Sequence, residues 1–153
     1  MKKVYLRRLT IDDADFVLEI RNDESTRKFL DNHSIFTRED FRQWFTSREV
    51  NWLVIVDFNT EEQVGYVRTD KDDGKSIEIG ADIHKKHRRQ GYATAAYEAL
   101  FKYLKDRSYE SVHLGVLSYN EAAKSLYDKL GFKTIGMRVT AANEESVVMS
   151  RNL

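Results

Sequence analysis

The stretch Arg88-Arg89-Gln90-Gly91-Tyr92-Ala93 decides how this chain is read. Before it runs Ile77-Glu78-Ile79-Gly80-Ala81-Asp82-Ile83, alternating with the period of a strand. After it, Ala93, Ala96, Leu100 and Leu104 recur at helical spacing. A strand that turns through a basic, glycine-containing loop into a helix start makes an anion site. The first N–H groups of the helix lack partners, and the positive end of its dipole points the same way. Gly91 removes a side chain where an anion must approach the backbone and tolerates unusual dihedrals. The plainer alternative is a solvated charge cluster, His84-Lys85-Lys86-His87-Arg88-Arg89, ahead of an ordinary helix.

A chain of 153 residues suits one domain, residues 1–153, with a core of useful size. Lysine and arginine number 25 against 25 aspartates and glutamates, so one basic loop is a small footprint for a nucleic-acid binder, and no nucleic-acid partner is expected. There is no cysteine, which excludes disulfides, thiolate zinc sites and a cysteine nucleophile. That composition is compatible with a cytoplasmic location. The start, Met1-Lys2-Lys3-Val4-Tyr5-Leu6-Arg7-Arg8, lacks the long apolar stretch of a secretory leader, and no run approaches a membrane span.

The pattern predicts a strand over Val4–Leu9, then a helix from a Thr10 cap to Ile20 and another over Glu24–Leu30. Thr37 and Asp40 have capping-box spacing ahead of the stripe Phe41, Trp44, Phe45. Strands follow at Asn51–Phe58, Val64–Thr69 and up to Ile83; then a helix at Gly91–Lys105 and a strand at Ser111–Leu117. A helix from Asn120 to Leu130 stops at Gly131, and Phe132–Val139 with Glu145–Ser150 form a last antiparallel pair. The unit from Ile77 to Val116 has the length of a right-handed parallel crossover. The expected fold is α/β (α+β): a mixed, mostly antiparallel twisted sheet with one central parallel pair, flanked by helices.

Asn120 and Tyr127 are two helical turns apart and share a face. Both could line a groove; equally, Asn120 could be a cap and Tyr127 a core residue beside Ala123 and Leu130. Several other signals carry no site. Gly74-Lys75-Ser76 resembles the end of a P-loop, but Thr69 stands where its first glycine belongs. Asp70, Asp72 and Asp73 fail as a calcium loop because Gly74 comes one position early. His84 and His87 lack a third ligand, so no metal is expected.

Taken together, Arg-x-x-Gly-x-Ala at Arg88–Ala93 after a strand, then an Asn120-x6-Tyr127 helix ending in Leu130-Gly131-Phe132, closely resembles the GCN5-related N-acetyltransferase (GNAT) superfamily. The resemblance covers about Ile77 to Phe132. It departs at Lys85, where many members carry proline. It implies acetyl-CoA as cosubstrate. Backbone groups around Ala81, Ile83 and Lys85 would bond the pantetheine, and the N–H groups of Arg88, Arg89, Gln90, Gly91, Tyr92 and Ala93 would hold the pyrophosphate. Asn120 would contact the cofactor, and Tyr127 would protonate the departing thiolate as general acid.

An acceptor amine must lose a proton before it attacks, because a free alkyl amine titrates near 10.4. Strand parity sets Glu78, Gly80 and Asp82 on one face, opposite Ile77, Ile79 and Ile83. Glu78 is the first candidate base and Asp82 the second. The segments around Arg21–Leu30 and Phe41–Phe45 resemble, loosely, the acceptor wall of GNAT enzymes that acetylate nucleotide-linked amino sugars. On that resemblance Arg21 and Lys28 would hold phosphates, and Phe29 or Trp44 would stack on a ring. Polyamine acetyltransferases and those acting on ribosomal-protein N-termini share the layout. The expected partners are therefore a small-molecule or peptide amine, with a homodimer compatible. A CoA-binding sensor without turnover is the non-enzymatic alternative.

Overall fold

A computed structural model describes all residues, 1–153, and its elements follow from these local signals. The strands are β1 (Val4–Arg8), β2 (Leu53–Asp57), β3 (Gln63–Asp70), β4 (Ser76–Ile83), β5 (Ser111–Leu117), β6 (Lys133–Val139) and β7 (Glu145–Asn152). The helices are α1 (Ala14–Arg21), α2 (Glu24–Arg27), α3 (Arg38–Thr46), α4 (Tyr92–Asp106) and α5 (Glu121–Lys129). One seven-stranded sheet has the order β1-β2-β3-β4-β5-β7-β6. Every pairing is antiparallel except β4 with β5, the parallel pair expected of the Ile77–Val116 crossover.

Both faces of the sheet are covered, which is why all five residues of β2 are buried. Leu53 and Ile55 pack toward α4, whose Ala96, Tyr97, Leu100 and Leu104 form the larger core. Val54 and Val56 point the other way, with Tyr66, into a second core under α1 and α3 built on Val17, Ile20 and Phe41. α5 presses Ala123 and Leu126 onto the margin of the larger core, joined by Leu130 just past its end.

Local chemistry fixes the ends. At α3 the Asp40 N–H donates to Thr37 Oγ1 at 3.1 Å, and the Thr37 N–H donates to Asp40 Oδ2 at 2.9 Å. α5 begins with the Ala123 N–H donating to Asn120 Oδ1 at 3.3 Å and ends before Gly131, at φ +88°. Two helices differ from expectation. The Thr10 segment opens as a 3-10 turn over Ile11–Asp13, because Asp13 folds back to accept the Thr10 N–H at 2.7 Å. α2 stops at Arg27 rather than Leu30; Phe29 and Leu30 continue in tighter i→i+3 turns and face the cleft.

Candidate active site

The parallel ladder between β4 and β5 is short. It pairs Ser76 with Ser111, Ile77 with Val112 and Glu78 with His113, then ends. From there β4 remains paired with β3 through Ile83, while β5 pairs with β7. The two strands splay into a cleft in the middle of the sheet. The His84 N–H donates to the Val64 carbonyl at 2.8 Å, so even-numbered residues of β4 aim their backbone groups at β3 and odd-numbered ones at the cleft. Ala81 therefore offers both its N–H and C=O to the opening, and Ile83 its N–H; the Ile83 carbonyl takes Arg88 Nε at 3.1 Å. These are the positions expected to bond an extended amide chain such as pantetheine.

Beyond β4 lies the basic loop. Arg89 and Gly91 adopt φ of +59° and +87°. A Cβ on Gly91 would meet only Lys2 Cγ, at 3.9 Å, so glycine answers the backbone angle rather than crowding. The first helical bond of α4 is Ala95 N–H to Gly91 O, at 3.2 Å, leaving the preceding N–H groups without helical partners. That cradle suits an anionic pyrophosphate. The side chains are used differently from what their charge suggests. Arg88 donates to Ser25 Oγ and Thr26 Oγ1, both at 2.7 Å, and so clamps α2 to the loop. Lys85 pairs with Asp23 at 3.4 Å, and His84 with Glu19 at 2.8 Å. Gln90 donates to the Lys86 carbonyl. The Tyr92 ring is buried and its hydroxyl donates to Asp57, which is held down to about 2 while Tyr92 is pushed up to about 12.

Two cavities meet at the splay. One, of about 340 Å³, runs past Ala81, Ile83, Ala93 and Asn120. The other, of about 300 Å³, opens toward Trp44, Trp52, Tyr66 and Glu78. Phe29, Leu30, Arg68, Gly115 and Tyr127 line both. Tyr127 Oη lies 3.1 Å from Tyr97 Oη. Burial raises the Tyr127 phenol against the opposing effect of Tyr97, so it keeps its proton at neutral pH. Asn120 serves as a cap and lines the first cavity as well, so its two roles are compatible.

Glu78 faces the second cavity, and parity holds because β4 carries no bulge. Its oxygens take Arg138 Nη2 at 3.0 Å and Lys71 Nζ at 3.2 Å. Burial would raise the carboxyl, but those cations outweigh it and hold it below its ordinary value. Asp82 lines the first cavity and pairs with Arg68, Oδ2 to Nε, at 3.0 Å. Of the expected acceptor-wall residues, Phe29 and Trp44 line the second cavity. Arg21 lines it too, but its guanidinium donates to the Ser34 and Asn32 carbonyls and stacks on Phe36. Lys28 lines neither cavity and lies over the Phe29 ring.

Sequence reasoning missed Arg68, Arg138, Trp52 and Tyr66. Arg68 reaches over Gly80, where a Cβ would lie 2.5 Å from its Nη2; Arg138 reaches over Gly115, where a Cβ would lie 2.3 Å from its Nη2. Glycine within a strand marks such a close approach, and that was the available signal.

Known proteins agree with this architecture. A structure of a GNAT-family acetyltransferase from Bacillus anthracis superposes with a TM-score of 0.85 at 19% identity, covering 99% of this chain and 95% of that one. Spermidine N-acetyltransferase from Vibrio cholerae, solved with CoA and spermine, gives 0.85 at 18% identity, covering 98% and 95%. An uncharacterized Methanocaldococcus jannaschii protein is 26% identical over 140 residues, 86% of this chain, which spans only 28% of that protein's length. The profile of the acetyltransferase (GNAT) domain matches residues 3–133, and with the splayed β4–β5 pair and the Arg88–Ala93 turn in place, the chain belongs to the GNAT acetyltransferase family.

Proposed function

We propose that the protein transfers the acetyl group of acetyl-CoA to a primary amine by direct attack, with Tyr127 as general acid. The observation that carries this reading is the meeting of two cavities at one protonated phenol. Bound acetyl-CoA would supply a thioester carbonyl as electrophile. The Ala81 and Ile83 backbone groups orient the pantetheine, and an N–H on this edge polarises the carbonyl. The N–H groups of Arg89–Ala93 hold the pyrophosphate, that of Arg88 being turned to the Lys85 carbonyl at 3.5 Å; Asn120 lines the pantetheine path. As the new N–C bond forms and the C–S bond breaks, Tyr127 gives its proton to the sulfur and Tyr97 steadies the phenol.

The proton on nitrogen leaves toward Glu78, the carboxylate on the acceptor side. Because both its oxygens already hold cations, a water carries the proton out. Asp82 is the second candidate. The acceptor is a small molecule or a peptide N-terminus. An amino sugar linked to a nucleotide suits the ring-stacking wall of Trp44 and Phe29, and the likeness to the spermidine enzyme keeps a polyamine in the panel.

The test combines thermal stability with acetyl-CoA and free-thiol release across an amine panel. Stabilisation with turnover on one amine class supports the reading. Stabilisation without turnover favours the sensor alternative. Tyr127→Phe is expected to lose about 10²-fold or more in turnover while keeping CoA binding; undiminished turnover removes the general-acid role.

A further inference from the structure

We infer that the acceptor carries an anionic oxygen group, a carboxylate or a phosphate, docked on Arg68 and Arg138. This rests on the transferase reading and deepens it by naming what the second cavity recognises besides the amine.

The cavity floor has been shaped around these two side chains. Arg68 comes from β3 and lies over Gly80 of β4, and Arg138 comes from β6, crosses β7 and lies over Gly115 of β5. Gly80 and Gly115 stand on opposite sides of the splay, and any side chain there would displace a guanidinium. Both arginines line the second cavity, and Arg68 lines the first as well, beside Tyr127.

Their hydrogen-bonding capacity is unequally used. Arg68 pairs with Asp82 through Nε, and neither of its Nη atoms has a protein acceptor. Arg138 uses Nη2 for Glu78 at 3.0 Å and Asp31 at 3.4 Å; its Nε and Nη1 have none. Asp82, Glu78 and Asp31 are paired with these same arginines and with Lys71, while Glu49 and Asp70 line the cavity without an ion pair. The Tyr66 hydroxyl is buried beside the Asp82 carboxylate and makes no hydrogen bond. Most of the unmet capacity lies on the two guanidiniums, through both Nη atoms of Arg68 and the Nε and Nη1 of Arg138, while Glu78 Oε2 and Asp82 Oδ2 are acceptors left without a hydrogen bond. A planar guanidinium matches a carboxylate or phosphate edge-on. A polycation offers the two guanidiniums no acceptor. Trp44 and Trp52, with ring centroids 4.6 Å apart and planes inclined at 60°, supply an aromatic corner for the rest of the acceptor.

The chain has two tryptophans, and both line this cavity, so intrinsic fluorescence reports its occupancy without turnover. Glutamate, uridine diphosphate and spermidine would be titrated separately in the presence of CoA. Saturable fluorescence change with glutamate or with uridine diphosphate, and not with spermidine, supports the inference; which of the two responds distinguishes carboxylate from phosphate. Arg68→Gln should weaken that probe about tenfold or more, and Arg68→Lys should recover part of the loss. The wild-type titration stands even where a variant folds poorly. A response to spermidine alone, or equal binding of an anionic probe by wild type and a folded Arg68→Gln, overturns it. Thiol release with spermidine and not with anionic amines would do the same while leaving the transferase reading intact. No stabilisation by acetyl-CoA and no turnover with any amine would remove both.

Discussion

Gly65→Ala should be among the most damaging single-methyl additions in this protein, and its cost can be worked from the geometry. A Cβ at Gly65 would sit 2.3 Å from the Asp82 carbonyl oxygen, 3.0 Å from Ile83 Cδ1 and 3.1 Å from Ile83 Cα. Two of those atoms are backbone, so relief means separating β3 from β4 by about 1 Å locally. Gly65 pairs with Ile83 in that ladder, so the strain falls on the strand that lines the cleft. Overpacking costs about 1–3 kcal/mol, and a backbone wall puts this case near 3. Alanine returns about 0.5–1 kcal/mol through the unfolded chain. The net loss is about 2 kcal/mol, a fall in Tm of about 4–8 °C. Gly136→Ala is the control: no atom lies within 4 Å of its Cβ and its φ is not positive, so it should be neutral or slightly stabilising. Urea denaturation of both, with unchanged m, measures the difference. Equal midpoints for the two variants would refute the reasoning.

Gly80→Ala meets the flexible end of Arg68 rather than backbone, so stability should change by less than about 1 kcal/mol while KM for the acceptor rises; an unchanged KM would mean the guanidinium is not at the acceptor. Arg88→Lys cannot reproduce the three bonds to Ser25, Thr26 and Ile83, so α2 should loosen and KM for acetyl-CoA rise in steady-state assays. Asp57 titrates near 2 in the fold, chiefly through the Tyr92 hydroxyl, against 3.8 ordinarily. A depressed carboxylate contributes stability above its ordinary value that is lost as pH falls through its folded one. The stability gap between wild type and Asp57→Asn should be full above about pH 4 and close toward pH 2, measured by urea titrations at stepped pH.

What was legible in the sequence was local. The span of β5, the end of β4, the Thr37–Asp40 box and the Asn120 and Gly131 boundaries follow from alternation, capping and glycine conformation within a few residues. The Arg88–Ala93 turn was legible for the same reason, because its strand, loop and helix are contiguous. Arg68 and Arg138 were not. Their partners Asp82 and Glu78 are 14 and 60 positions away, and only the sheet order brings them together. Side-chain use was equally hidden: no spacing rule shows that Arg88 ties down α2 or that Arg21 closes the loop before α3.

The splay also leaves a kinetic signature in the backbone. Ala81 and Ile83 lie in a central strand, where amide hydrogens ordinarily wait for global unfolding before exchanging with solvent. Here their N–H groups face an open cleft, so deuterium should enter these two positions as fast as in a surface turn, while their even-numbered neighbours, bonded to β3, stay protected. A cosubstrate amide laid along that edge would act as the missing strand, and the alternating pattern should vanish when it binds.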